Sequence, residues 1–338
     1  MNGGKPPAGD PGAVMALTTA HWGAQALFTA NRLNVFATIA EGENTIPAVA
    51  RACGTDERAT ALLLKACASL ELLQHTDGVF SLAPAAAALL VPGSPVYLGN
   101  AIRYSDDLYG VWEKLEDSVR EGGPVLATAE YTGDDEERTR HFVMGMHDRA
   151  MGIGRVLVDM VDLGGHSRLL DIGGGPGTYS ALFTGHYPGL RSTVIDLPGV
   201  VAIAREIVAD MPGGDRVDFL AGDFHSLDWP VDFDSVLISG VFHREREQAC
   251  RDLIARAAAV LGGGGQLVVA DVFTESGGCG PPMAALFGLN MLLTAPDGGV
   301  HDATAVAQWM EQAGFVETRV DAFPEPMPHR VVTGHLPV

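Results

Sequence analysis

The stretch Leu169-Leu170-Asp171-Ile172-Gly173-Gly174-Gly175-Pro176-Gly177 holds the residue types that build a ligand site. An apolar run of strand character ends in an acid and then breaks into glycines, and Thr178 to Tyr187 follows as a helix. Glycines let the backbone approach a ligand closely, and the new helix turns its N-terminus toward that ligand. Alone, such a turn also serves many dinucleotide folds.

The residues downstream narrow the chemistry. A second strand, Arg191 to Ile195, ends at Asp196, the distance past the glycines at which an acid binds ribose hydroxyls. A third strand, Val217 to Leu220, leads into Gly222-Asp223-Phe224, where a carboxylate beside an aromatic suits an adenine amino group and a stacking face. No Gly-Lys-Ser/Thr is present for a triphosphate, and the glycine turn is flanked by Asp171. An acidic rim favours a cationic ligand without phosphates, and S-adenosylmethionine (SAM) is the common one.

These residues need a sheet to position them. Strands four and five, Ser235 to Ile238 and Gln266 to Ala270, complete an alternation of strand and helix that reads as an α/β domain with a parallel sheet. Phe315 to Val338 alternates apolar and polar residues and reads as closing antiparallel strands. Residues 1–12 are rich in Gly and Pro and are expected to be disordered. From Ala13 to about Leu90 the pattern is helical, and His21 to Ala40 is too apolar all round for an isolated surface helix, so it needs a partner. Ile46–Gly54, Asp56–Ser69 and Leu73–Leu82 read as helix, helix and short β-wing. That winged-helix-like arrangement lacks a basic recognition helix.

Composition sets limits. The 338 residues are enough for about two domains. A net charge of −20 argues against a nucleic-acid partner and against anionic membrane surfaces. Cys53, Cys67, Cys250 and Cys279 lack ligand spacing and read as reduced thiols. Neither a signal peptide nor an uncharged run long enough to span a bilayer is evident, so a cytoplasmic location is expected.

Taken in order, Asp-Ile-Gly-Gly-Gly-Pro-Gly (171–177), Asp-Leu-Pro-Gly-Val (196–200), Gly-Asp-Phe (222–224) and Val-Phe-His (241–243) resemble the SAM-dependent small-molecule O-methyltransferases of the plant caffeate and antibiotic-tailoring type. Gly-Gly-Gly-Gly-Gln-Leu-Val-Val-Ala-Asp (262–271), Leu-Asn-Met-Leu-Leu-Thr (289–294) and Ala313-Gly314-Phe315 extend the likeness over nearly the whole chain. The resemblance implies a class I SAM methyltransferase with a Rossmann-like sheet. It divides the chain into a helical, winged-helix-like dimerisation domain (13–100), a helical linker walling the substrate pocket (101–155) and a SAM-binding catalytic domain (156–338), in a homodimer acting on a small molecule. It further implies that Gly173, Gly175 and Gly177 shape the SAM turn, Asp196 binds ribose, Asp223 and Phe224 hold adenine, and Ser239 makes a polar contact to the cofactor. Phe142, Met146, His147, Asn290 and Met291 are the expected pocket wall.

The chain departs from that family at two places. Where the family has His-Asp-Trp, this chain has His243-Arg244-Glu245, and the turn Pro296-Asp297-Gly298-Gly299-Val300-His301 carries an unusual histidine. In the family His243 would be the general base. His243, Glu245 and His301 also compose a two-His, one-carboxylate ligand set for a divalent or trivalent metal such as Zn, Fe, Ni or Co. A chelated 2-oxo acid could there be methylated at its β-carbon through an enolate, as in a small subgroup that the His-x-Glu plus distant His resembles. That C-methylation is the reading taken here; ordinary O-methylation with His243 as base is the alternative. Arg244 reads either as a clamp for a substrate carboxylate or as an exposed helix residue. A DNA-binding regulator and a catalytically dead scaffold are disfavoured by the acidity and by the retained His243.

Overall fold

The computed structural model describes residues 11–126 and 136–338. Most of the expected N-terminal tail and residues 127–135 of the expected linker lie outside the described residues. The chain divides into two compact units, Met1–Asp106 and Asp107–Val338.

The first unit begins earlier in helix than the sequence suggests, because α1 already starts at Pro11 and runs to Arg32. Asn34, with φ of 56°, breaks the apolar stretch before α2 (Val35–Ala40), so the one long helix expected there is two. Then follow α3 (Ile46–Cys53), α4 (Glu57–Ser69), the antiparallel hairpin β1 (Leu73–Thr76) and β2 (Val79–Leu82), α5 (Pro84–Leu89) and α6 (Gly99–Asp107). The Asp56 side chain caps α4 by accepting from the Ala59 N–H at 2.8 Å. Phe36, Val49, Leu64 and Phe80 meet in the core of this unit. Val14, Met15, Leu17 and Trp22 on α1 are all more than 60 % exposed.

The second unit takes in most of the expected linker, as α7 (Tyr109–Trp112), α8 (Leu115–Glu121) and α9 (Glu136–Met160). Its sheet is built from β3 (Arg168–Ile172), β4 (Arg191–Asp196), β5 (Val217–Ala221), β6 (Phe233–Ser239), β7 (Leu261–Val272), β8 (Val316–Ala322) and β9 (His329–His335). Among the described residues the order is β5-β4-β3-β6-β7-β9-β8, with β9 antiparallel to both neighbours and the first five strands parallel. The helices α10 (Thr178–His186), α11 (Pro198–Ala209), α12 (Glu247–Val260), α13 (Pro282–Thr294) and α14 (Ala303–Gln312) connect or cover the strands. Central strands buried on both faces read as continuous apolar runs, and β3 and β6 are of that kind. Two separate clusters, one around Ile172, Ile238 and Ile254 and one around Leu157, Leu169 and Phe183, fill the two faces. The chain leaves β3 toward β4 on one side and returns to β6 on the other. A crevice opens at the carboxyl ends of strands where the order reverses in this way. The four cysteines are unpaired, and no described helix is long and apolar enough to cross a membrane.

Candidate active site

The glycine turn lies at this reversal. Gly173 has φ of 63°, and a Cβ there would stand 2.8 Å from Val241 Cγ2 and 3.4 Å from the Phe224 ring. Only glycine satisfies both the backbone conformation and the close packing. Gly175 has open space where its side chain would be, and its N–H donates to Asp196 Oδ2 at 2.7 Å. The Leu197 N–H donates to Asp196 Oδ1, also at 2.7 Å. Each carboxylate oxygen keeps a further acceptor site, which is what a ribose diol requires. Burial raises the Asp196 pKa, and the two backbone donors oppose that rise. Gly177 starts α10, whose first residue, Thr178, shares a 2.8 Å hydrogen bond with His147 Nδ1 on α9. His147, expected in the pocket wall, is therefore tied to the cofactor turn, and its burial lowers its pKa.

Asp171 sits beneath the turn with no exposed surface. Its Oδ2 accepts from Ser180 at 2.6 Å, while Oδ1 has no partner among the described residues. Burial pushes its pKa up to about 7, Ser180 works against this, and Asp196 adds to it. The carboxyl packs under Gly174, and a buried acceptor without a donor beneath the turn suits a cationic ligand above it. The Tyr179 hydroxyl is hydrogen-bonded to Ser239, so the expected cofactor contact at the end of β6 already has a protein partner.

The loop expected to hold adenine follows β5. Asp223 Oδ1 accepts from the His225 N–H at 2.9 Å, and Phe224 is half-buried beside Gly173. Arg256 on α12 holds this loop by donating to the carbonyls of Phe224 at 2.6 Å and Leu227 at 2.6 Å, with its guanidinium 4.2 Å from the Trp229 ring centre. Nothing in the local sequence pattern pointed to Arg256, because α12 reads as an ordinary amphipathic helix.

On the other side of the crevice, His243 lies in a 3-10 turn, Phe242–Arg244, just beyond β6. Its Nδ1 is 2.7 Å from Asp271 Oδ1, and its backbone N–H donates to Asp271 Oδ2 at 3.2 Å. Asp271 is 3 % exposed, near the end of β7. The loss of the family's adjacent Asp therefore does not leave His243 without an acid. In the sequence Asp271 shows only as an acid closing an otherwise apolar strand. Phe287 on α13 packs edge-on to the imidazole with ring centres 4.9 Å apart.

The metal centre expected of His243, Glu245 and His301 is not formed, because each side chain is committed elsewhere. Glu245 turns its carboxylate to His225 Nε2 at 2.9 Å. His301 Nε2 lies 2.8 Å from the Glu245 carbonyl and 3.1 Å from the Phe242 carbonyl, so it carries a proton and donates. His243 engages Asp271. Among the described residues no three His, Cys, Asp or Glu side chains are grouped to hold a metal ion. His301 instead ties the turn bearing His243 to the loop before α14, and Gly299 N–H adds a bond to the His243 carbonyl at 2.9 Å.

The remaining wall residues divide. Asn290 on α13 accepts from Trp112 Nε1 at 3.1 Å, which fixes its amide, and Met291 is buried. Met146 is half-buried on α9. Phe142 packs against Val200 and Ile203, in a small cluster between α9 and α11. Arg244 is half-buried.

Comparison with known proteins identifies the family and the fold. The O-methyltransferase domain family matches residues 112–316, and the O-methyltransferase dimerisation domain matches residues 15–92. The chain is 31 % identical to 3-hydroxy-5-methyl-1-naphthoate 3-O-methyltransferase of Streptomyces sahachiroi, over 98 % of this chain and 97 % of the relative. It is 29 % identical to the tetracenomycin polyketide synthesis 8-O-methyl transferase TcmO of Streptomyces glaucescens, over 94 % of each. The crystal structure of human N-acetylserotonin methyltransferase in complex with SAM superposes with a TM-score of 0.88 at 25 % identity, covering 99 % of this chain and 100 % of the other.

Proposed function

Because the chain belongs to the SAM-dependent O-methyltransferase family, we propose that it methylates a hydroxyl oxygen of an aromatic secondary metabolite, with His243 as general base. The observation that carries this reading is the 2.7 Å contact between His243 Nδ1 and the buried Asp271 carboxylate. A carboxylate accepts but does not donate, so Nδ1 bears the proton and Nε2 keeps its lone pair. That lone pair accepts the hydroxyl proton as the oxygen becomes nucleophilic. Asp271 then stabilises the imidazolium, and its second oxygen, on the His243 backbone N–H, keeps the turn in place.

SAM supplies a methyl group already activated on a sulfonium, so the protein's task is orientation and proton removal. Gly173, Gly175 and Gly177 shape the turn that receives it, Asp196 takes the ribose hydroxyls, and Asp223 and Phe224 take the adenine. Ser239 and Tyr179 stand on its polar side, with the buried Asp171 carboxyl beneath the turn. Asn290, with its amide oriented by Trp112, Met291 and Met146 face the acceptor, and Phe142 and His147 support the wall and the turn from α9. Homodimerisation through the first unit follows from the dimerisation domain and from the exposed apolar residues of α1.

The names of the two Streptomyces relatives, a naphthoate and a polyketide methyltransferase, direct the acceptor search to fused-ring hydroxyarenes. The test is transfer from labelled SAM to a panel of such acceptors, by wild type and His243→Ala, with the site of methylation read by NMR. Oxygen methylation that His243→Ala abolishes supports the reading, and oxygen methylation indifferent to that change contradicts it.

A further inference from the structure

Arg244 follows His243 in the same turn, and its surroundings are unusual for a guanidinium. It is half-buried, yet it has no ion pair or side-chain hydrogen bond among the described residues. The acids beside it in the chain, and those bonded to its chain neighbours, all have other partners. Asp271 is on His243, Glu245 on His225, Asp297 on Arg246 at 4.0 Å, and Glu247 on Arg251 at 2.8 Å. Scarcity of carboxylates does not explain this, since the chain has 42 acidic residues against 22 basic ones. Arg246 and Arg251, two and seven positions further on, are each paired. A half-buried arginine without a counter-charge keeps its guanidinium donors available for an incoming anion. Its planar fork of donors matches a carboxylate in a two-point contact.

The geometry points to Arg244 as the binding residue for a carboxylate carried by the acceptor, which makes the substrates aromatic hydroxy acids and not neutral phenols. The inference rests on the reading that the acceptor is handled at His243. It adds that the acid group and the reacting hydroxyl must be close enough to meet neighbouring residues of one turn. A guanidinium there also lowers the pKa of a hydroxyl held beside it, so binding and proton removal act in the same direction.

The test is equilibrium binding of a hydroxynaphthoic acid and of its methyl ester, with S-adenosylhomocysteine present, to wild type, Arg244→Gln and Arg244→Lys. Wild type is expected to bind the acid at least about tenfold more tightly than the ester, the size of effect that loss of a desolvated charge pair produces. Arg244→Gln should abolish the preference, and Arg244→Lys should restore part of it. Unchanged S-adenosylhomocysteine affinity in both variants confirms that the fold is intact. Equal binding of acid and ester by wild type overturns the inference, as does a preference that survives in Arg244→Gln. Failure of the O-methylation reading would appear elsewhere, as methyl found on carbon while the acid still binds through Arg244.

Discussion

The two walls of the crevice are built on different principles. The side proposed for the cofactor, at the ends of β3, β4 and β5, is shaped by backbone: a glycine at positive φ, N–H groups on Asp196, and carbonyls held by Arg256. The side proposed for the acceptor, beyond the ends of β6 and β7, is made by side chains far apart in sequence: His243 with Asp271, His301 with two carbonyls, Trp112 with Asn290, while Glu245 reaches across to His225 on the β5 side. A backbone site fixes one ligand shape and resists change. A site of paired side chains can exchange partners while the sheet stays as it is.

Substitutions on one wall should therefore leave the other wall's readout alone. The largest effect is expected for His243→Ala, a fall in kcat of about 10²–10⁴-fold, the range that a general base contributes, with SAM affinity unchanged. Asp271→Asn comes next. It removes a charged partner worth about 1.5–3 kcal/mol, so kcat should fall on the order of tenfold to a hundredfold, again at constant SAM affinity. An equal loss of SAM binding in either variant would break the division. Gly173→Ala acts on the opposite wall. Left-handed backbone at a non-glycine residue costs about 1–2 kcal/mol, and the new Cβ meets Val241 at 2.8 Å. Calorimetric titration should find SAM binding weakened by about tenfold or more, while kcat at saturating SAM changes less.

Glu245→Gln sharpens the comparison through a smaller effect. The His225–Glu245 pair is partly exposed, and such pairs contribute roughly 0–1 kcal/mol. Steady-state rates should shift by less than about fivefold. A variant without activity would mean that the Glu245 carboxylate has a chemical task that its contact with His225 conceals.

The smallest effect is on the pH dependence of stability in the ligand-free enzyme. The Asp171 carboxyl is held up to about 7, so its contribution is fully present below the ordinary carboxylate range and is lost as pH rises through about 7. His329, at the start of β9 and paired with Val272, is pushed down to about 4, chiefly by burial, with Asp271 opposing and His243 and Arg149 assisting. Its contribution is present above the ordinary imidazole value and is lost as pH falls through about 4. Between these limits the two slopes oppose each other. Asp171→Asn should make melting temperature rise more steeply with pH than in wild type, and His329→Gln should make it rise less steeply. Parallel profiles for all three proteins would contradict both assignments.

The same contrast governs what the sequence reveals. The glycine turn, Asp196 and the central strands are legible because local chain geometry demands those residue types at short spacing. Asp271 and Arg256 are not, because each acts on a segment roughly thirty residues away and looks, in its own strand or helix, like a routine acid or base. The grouping of His243, Glu245 and His301 shows the opposite hazard. Ligand-type residues on neighbouring segments suggest a metal site, but side-chain direction decides, and here the carboxylate turns to His225 while Nε2 of His301 turns to the backbone. The break at Asn34 is a smaller example, since an apolar run continues across a residue whose φ of 56° ends the helix.

One measurement tests the central claim most directly: transfer from trideuteromethyl SAM to a hydroxynaphthoic acid and, in parallel, to phenylpyruvate, each with and without a strong chelator, with the labelled position read by NMR. Label is expected on the phenolic oxygen of the hydroxy acid, at a rate indifferent to the chelator and lost in His243→Ala. Label on the β-carbon of the 2-oxo acid, abolished by the chelator and restored by added metal, would contradict it.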